Sequence, residues 1–261
     1  MKRIDFLGAS GAGKSAVFDA IARSASREKQ WFTPKEAKTA AARQYIKQNK
    51  RMVKDFKPTL LLNLPLFRPF HPQVSNYVLR THGTKLLWEN AQRDKPFLNT
   101  VLKGAGFENR EPLHRLLGIN WFVPVYRDVL IMENSPLESL VIFDESLSQK
   151  VYGITHWKQG AFEEITAAYF NSIPLPAGLI HFKIASQTAM ERLNERPKVT
   201  TGQRNSTGEE LFNVISAQVD IARTGADIIK YRGVKVLEIE SELPIERKVV
   251  YINKFIADSN V

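Results

Sequence analysis

One junction near the start of the chain constrains its fold more than any other feature. The apolar run Arg3–Leu7 leads straight into GASGAGKS (Gly8–Ser15), and apolar Val17, Phe18, Ile21 and Ala22 then recur at helical spacing. That order reads as strand, tight turn and helix, the helix covering about Lys14–Ala25. The small residues of the turn neither fill a core nor extend a helix well; their use is to let backbone come close to a partner. The same alternation recurs later. Gln30–Phe32 reads as a short strand ended by Pro34, LVIFDE (Leu140–Glu145) as a buried strand closed by two carboxylates, and GLIHFKI (Gly178–Ile184) as a strand leading into a helix around Gln187–Arg196. A polar stretch, Pro197–Gly208, precedes a long helix over roughly Glu209–Tyr231, a last strand Val234–Ile239 and a closing helix around Ile245–Ile256. Strands alternating with helices imply a parallel sheet covered on both faces.

The spacing Gly8-x4-Gly13-Lys14-Ser15, with a strand before it and a helix after it, fits the phosphate-binding P-loop. Chemistry explains the composition. Backbone N–H groups must turn inward around a β-phosphate, so Gly8, Ala9, Ser10, Gly11, Ala12 and Gly13 carry nothing large enough to block its approach. Lys14 neutralises β and γ oxygens, Ser15 offers a hydroxyl to Mg²⁺, and the helix N-terminus adds its partial positive charge. Asp144, ending an apolar strand, is placed to hold the hydrated Mg²⁺. Glu145 serves as a base, as an acceptor contact or as a plain strand-end charge. ATP and Mg²⁺ are thus the expected cofactors, with Ser15 and Asp144 at the metal. The expected fold class is α/β: a doubly wound parallel sheet of the P-loop NTPase, kinase-like type, carrying a large, mostly helical insertion.

Two P-loop classes fit poorly. Guanine-reading switches use Asn-Lys-x-Asp, and NKFI (Asn253–Ile256) lacks the Asp; transporter-type ATPases use Leu-Ser-Gly-Gly-Gln, which SLSQK (Ser146–Lys150) does not supply. A kinase or a hydrolytic ATPase remains. AMERLNERPK sets Arg192 and Arg196 four apart on one helical face beside the polar stretch. Phosphoryl transfer is catalysed mainly by positioning and positive charge, and an arginine-bearing lid over residues 187–210 excludes water as a competing acceptor. Ion pairing among Glu191, Arg192, Glu195 and Arg196 is the other use of that helix. With Lys14, Asp144, Glu145, Arg192 and Arg196 as the candidate catalytic set, the expected activity is ATP-dependent phosphoryl transfer to a small molecule. The alternative is a P-loop ATPase or nucleotide-gated binding protein in which the Asp144–Glu145 pair polarises water.

On these motifs the chain resembles the deoxynucleoside kinase and thymidylate kinase branch of the P-loop proteins. Those families carry an acidic-Arg-Ser motif with a downstream Tyr, matched in DESLSQKVY by Asp144, Glu145, Ser146 and Tyr152. Their lid is Arg-x3-Arg, a basic residue and paired glutamates, matched by Arg192, Arg196, Lys198, Glu209 and Glu210 with a longer loop between. GVKVLEIES (Gly233–Ser241) is similar to their final strand, beside the adenine site. The resemblance spans roughly the first 30 and the last 120 residues and implies phosphoryl transfer from ATP to a nucleoside or nucleotide. It departs at two points. Glu145 stands where the motif has its arginine, so that phosphate contact is missing or comes from elsewhere. Residues 31–130 carry no matching nucleoside-binding motif, which leaves a sugar, a lipid-linked intermediate or a nucleic-acid end as equal acceptors.

The net charge of +10 is localised. Residues 31–130 hold 17 Lys and Arg against 7 Asp and Glu, whereas the other 161 residues hold 20 against 20. This basic block is punctuated by Pro58, Pro65, Pro69, Pro72, Pro96 and Pro112 and reads as several short helices. Within a single domain, 1–261, it is the expected module for a small anionic acceptor; a solvated surface is the other reading. ATP and a phosphorylated acceptor bring like charges together, and Arg68, Arg80, Lys85 and Arg93 are candidates to screen them from the cleft. Trp31, Trp88, Trp121, Phe67 and Phe70 are either core residues, the favoured reading, or stacking platforms for single-stranded nucleic acid. Glu36 is either a base or a surface charge. There is no cysteine, so disulfides and thiolate zinc sites are excluded. The most apolar run, Leu60–Phe70, is broken by Pro65, Arg68 and Pro69 and is too short to span a bilayer. With no signal peptide ahead of the first strand, a cytoplasmic location is expected.

Overall fold

The computed structural model describes residues 1–24, 31–49, 56–106, 112–155, 162–195 and 208–259. Five strands, β1 (Lys2–Leu7), β2 (Trp31–Phe32), β3 (Leu140–Phe143), β4 (Gly178–Lys183) and β5 (Lys235–Glu240), form one sheet in the order β2-β3-β1-β4-β5. Every neighbouring pair is parallel. The chain begins in the middle of the sheet, winds out to the β2 edge, returns through β3 and then crosses to β4 and β5. Strand order therefore reverses at β1, where open parallel sheets form a crevice beyond their carboxyl ends. The glycine-rich turn leaves β1 at that end.

The strands are buried on both faces, as their near-continuous apolar runs require. Successive side chains of β1 alternate between two cores: Ile4 and Phe6 join Val17, Ile21, Ile142, Ile180, Phe182 and Ile252 on one face, while Leu7 joins Val141, Phe143, Leu147 and Leu179 on the other. Helices α1 (Lys14–Ser24), α9 (Ser186–Asn194) and α11 (Ile245–Ser259) contribute to the first core. The second core is covered by the insertion between β2 and β3: α2 (Pro34–Gln48), α3 (Phe56–Asn63), α4 (His71–Asn90), α5 (Lys95–Ala105) and α6 (Pro112–Glu133). It also includes residues of α7 (Leu147–Ile154), α8 (Phe162–Ser172) and α10 (Gly208–Tyr231).

The insertion is helical as expected, but its helices are not all short. α4 runs for 20 residues and α6 for 22, the latter through Pro124. Pro72, Pro96 and Pro112 lie at helix starts, where the absent N–H has no intrahelical acceptor to lose. Prolines that read as breaks are thus mostly beginnings. An aromatic cluster binds the insertion to α8: the Phe97 ring lies 5.6 Å from Phe122 and 5.1 Å from Tyr169, centroid to centroid.

One expectation about this block needs correction. Of the aromatics, only Trp31 is a buried core residue; Trp88 is 79% exposed, Phe70 57% and Trp121 41%, and Phe67 is half-buried. The four candidate cations are exposed, two of them in ion pairs within the block. Lys85 pairs with Glu89 one helical turn on at 3.4 Å, and Arg93 is held bidentately by Asp94 at 2.7 and 2.8 Å, which also accepts from the Tyr126 hydroxyl at 2.6 Å. Arg68 and Arg80 are exposed. Among the described residues, no helix is long and apolar enough to cross a membrane.

Candidate phosphate-binding site

The turn after β1 adopts a backbone that its sequence prescribes. Gly11 and Gly13 have φ of +89° and +81°, in the left-handed region that L side chains avoid. Gly11 has a second constraint: a Cβ there would lie 2.7 Å from the carbonyl oxygen of Ala189 in α9. The amide of Ala12 donates to Ala9 O at 3.3 Å, and that of Val17 donates to Gly13 O at 3.1 Å, opening α1. Lys14 curls back over the turn, donating from Nζ to the carbonyls of Gly8 and Ala9 at 2.6 and 2.8 Å. Ser15 stands exposed in the first turn of α1. The amide of Ser10 donates to Oε1 of Gln218, on α10, at 2.9 Å. Its N–H thus faces an acceptor on the face of the turn covered by α10.

β3 lies beside β1 and ends at Phe143, which sets Asp144 and Glu145 next to the turn. Asp144 is half-buried, and burial, aided by the charges of Glu145 and Asp19, raises its pKa, against backbone hydrogen bonds that lower it. Glu145 is 57% exposed and accepts from Lys150 Nζ at 3.2 Å. Lys150 is 1% exposed, and its ammonium lies 3.3 Å from the centroid of the Trp121 ring. Burial pulls its pKa down and the two carboxylates oppose that.

α7 is fastened against β1 by its other residues. Ser148 donates to the buried Asp5 at 2.7 Å, and Gln149 Nε2 donates to Gly8 O at 3.0 Å. Asp5 itself is paired with Arg3 at 2.9 Å, and Arg3 also meets Glu133 at 2.9 Å. Ser146 Oγ and Gln149 Oε1 are buried without a hydrogen-bond partner among the described residues.

The remaining candidates fall in different places. Arg192 donates to Ser241 O at 3.1 Å, as does Lys248 at 2.8 Å, so its head lies at the turn after β5. α9 ends at Asn194; Arg196, Lys198 and half of the 187–210 lid lie outside the described residues. Glu209 and Glu210 open α10. Tyr152 donates to Gln218 O at 3.3 Å. Glu36 is a helix cap: its carboxylate accepts from the Thr33 amide at 2.8 Å, and Thr33 Oγ1 accepts from the Glu36 amide.

Sequence reasoning thus assembles Gly8–Ser15, Asp144 and Glu145 at one end of the sheet but misses Gln149, Lys150 and Gln218. A signal existed for the first two. Leu147, Val151 and Ile154 are spaced as the apolar stripe of a helix, and Ser146 before them is an N-cap residue. For Mg²⁺, the Ser15 hydroxyl and Asp144 carboxylate are hard oxygen donors, with Asp19 close enough to act on Asp144. Among the described residues there is no group of three or more metal-ligating side chains. That sparse set fits a cation that keeps several waters and takes further oxygens from a nucleotide.

No family model matches the chain, and no curated relative matches it. Two solved structures are similar in fold, both of deoxyadenosine kinase from M. mycoides. One, with product dCMP and a flexible dCDP bound, is 12% identical over 98% of this chain and 99% of that one, with a TM-score of 0.47. The other, with dATP bound, is 15% identical over 98% and 100%, with a TM-score of 0.39. The strand order, the parallel pairing and the glycine turn carry the assignment by themselves. The chain has a doubly wound, parallel α/β fold with a P-loop turn after β1 and a helical insertion between β2 and β3.

Proposed function

We propose that this protein is an ATP-dependent phosphotransferase that moves the γ-phosphoryl group of ATP to a hydroxyl or phosphate of a small anionic acceptor, of the nucleoside, nucleotide or sugar type. One observation carries the reading. The left-handed glycines, the Lys14 ammonium and the N-terminus of α1 converge at the carboxyl end of β1, with Asp144 just beyond the end of the adjacent strand. In this reading the backbone N–H groups and Lys14 bind phosphate oxygens, Ser15 and Asp144 hold Mg²⁺, and Arg192 and Arg196 act at the donor side. The bound metal would neutralise β- and γ-phosphate charge.

The hydrolase alternative asks Glu145 to polarise water. Its carboxylate is instead engaged with the Lys150 ammonium at 3.2 Å, so it is held by an ion pair rather than free to orient a water. That favours transfer over hydrolysis. The test is label transfer from γ-labelled ATP to a panel of nucleosides, nucleotides, sugars and sugar phosphates, run beside acceptor-free hydrolysis. The proposal expects one acceptor class to be labelled and hydrolysis without acceptor to be slow. Brisk acceptor-independent hydrolysis with no labelled product would overturn it.

A further inference from the structure

Among the described residues, Lys150 is the one cationic side chain in the group of largest fully buried side chains, and no motif predicts it. A buried lysine is costly unless something holds the charge. Two groups do so here, the Glu145 carboxylate at 3.2 Å and the face of Trp121 at 3.3 Å. The pair is asymmetric: Lys150 is 1% exposed and Glu145 57%. The glutamate can turn into solvent at little cost, whereas the lysine stays beneath the indole. The charge of Asp144, the candidate metal carboxylate, also acts on Lys150. Gln149, its neighbour in the chain, donates to Gly8 O within the P-loop, and Ser148 is bonded to Asp5 of β1, so the helix turn carrying Lys150 is fixed against the loop. The orphaned Ser146 Oγ and Gln149 Oε1 belong to the same turn. A rigidly mounted ammonium, neutralised by a partner free to leave, is arranged to meet an incoming anion.

We propose that Lys150 supplies the phosphate-contacting cation of this site, with Glu145 as the anion that keeps it charged and in place until the substrate phosphate arrives. This rests on the phosphotransferase reading above. In the transfer step, the bond between Pγ and the β,γ-bridging oxygen breaks as the acceptor oxygen bonds to Pγ, and ADP leaves with the bonding electrons. The proton of a hydroxyl acceptor passes to solvent water. Lys150 donates to a non-bridging oxygen of the transferring group, whose charge it balances, and neither gains nor loses a covalent bond.

The test uses the full chain, γ-labelled ATP and the best acceptor from the panel. Lys150→Met keeps the length of the stem and removes the charge. It should lower kcat by about 10²- to 10³-fold, the cost of deleting one donor aimed at developing charge. ADP affinity and melting temperature should stay near wild type, because the exposed Glu145 rehydrates once unpaired. Lys150→Arg should recover part of the lost kcat. Wild-type kcat in Lys150→Met would overturn the inference, and so would parallel losses of kcat, ADP affinity and melting temperature, which mark a structural ion pair. Should Lys150→Met not fold, Lys150→Gln is read in the same way. A wild-type protein that labels no acceptor contradicts the phosphotransferase reading itself, a result distinct from either outcome for Lys150.

Discussion

Two glycines, two residues apart in one turn, allow strain and steric fit to be separated. Gly11 and Gly13 share nearly the same backbone, with φ of +89° and +81°. Replacing either by alanine places a Cβ in the left-handed region at a cost of roughly 1–2 kcal/mol. The alanine also stiffens the unfolded chain by a similar amount in both variants, so that contribution cancels in the comparison. Their surroundings differ. A Cβ at Gly13 meets nothing within 4 Å, whereas at Gly11 it would stand 2.7 Å from Ala189 O and 3.1 Å from Ala189 Cα, both backbone atoms of a packed helix. Overpacking of that kind adds about 1–3 kcal/mol. Gly11→Ala should therefore cost more than Gly13→Ala by about 1–3 kcal/mol, which at an m value near 3 kcal/mol/M is a urea midpoint lower by ~0.3–1 M. A loop that relaxes instead of staying strained converts the same energy into lost nucleotide affinity. The quantity compared is thus the sum of the losses in unfolding free energy and in ADP binding, from urea titration and calorimetry. Equal sums, or a larger loss in Gly13→Ala, would refute the account of why small residues fill this turn.

Other perturbations have expected outcomes. Glu36→Ala should destabilise the protein by about 1 kcal/mol through loss of the capping box, while Glu36→Gln, which still caps, should keep both stability and transfer; loss of transfer in the Gln variant would restore Glu36 as a base. His181 is buried in β4 with Nδ1 unpartnered among the described residues, and burial lowers its pKa from 6.5, against the nearby carboxylates. The unfolded chain then takes up the proton first, so the contribution of His181 is fully present above pH 6.5 and is lost as pH falls through that value, with a slope of at most about 1.4 kcal/mol per pH unit. Urea unfolding of wild type and His181→Leu at pH 7.5 and 5.5 checks this: the wild-type loss should be the greater. Phe97→Ala should cost about 3–5 kcal/mol by opening a hole among Phe122, Tyr126 and Tyr169, measurable as a drop in thermal midpoint.

The parts of this molecule that were legible in its sequence are those written locally. The P-loop, β3 with its carboxylates and the alternating strands and helices depend on spacing within about a dozen residues, and boundaries from them agree with the structure to within a few residues. Two classes of feature were not legible. Prolines have two meanings, as breakers and as first-turn residues, and the insertion uses several in the second sense, so α4 and α6 are longer than their punctuation suggests. Long-range polar pairing carries no periodic signal at all. Asp5 is a charge inside an apolar strand because Arg3 and Ser148 meet it, the latter 143 residues away, and Arg192 finds Ser241 across 49. Glu36 lies where a base would suit the chemistry, yet the demand of the α2 N-terminus for an acceptor is satisfied by it. Lys150 belongs to the second class, since one of its partners is a tryptophan from the insertion.

The claim on which the rest depends is that Gly8–Ser15 binds the phosphates of a nucleoside triphosphate. Calorimetric titration of Mg²⁺·ATP into wild type and Lys14→Ala tests it directly, with melting curves to show that both are folded. Deleting a charge-assisted contact to phosphate should weaken binding by about 10- to 100-fold. Saturable binding by wild type and that loss in Lys14→Ala are the expected results; no binding by wild type, or equal affinity in the folded variant, would contradict the account.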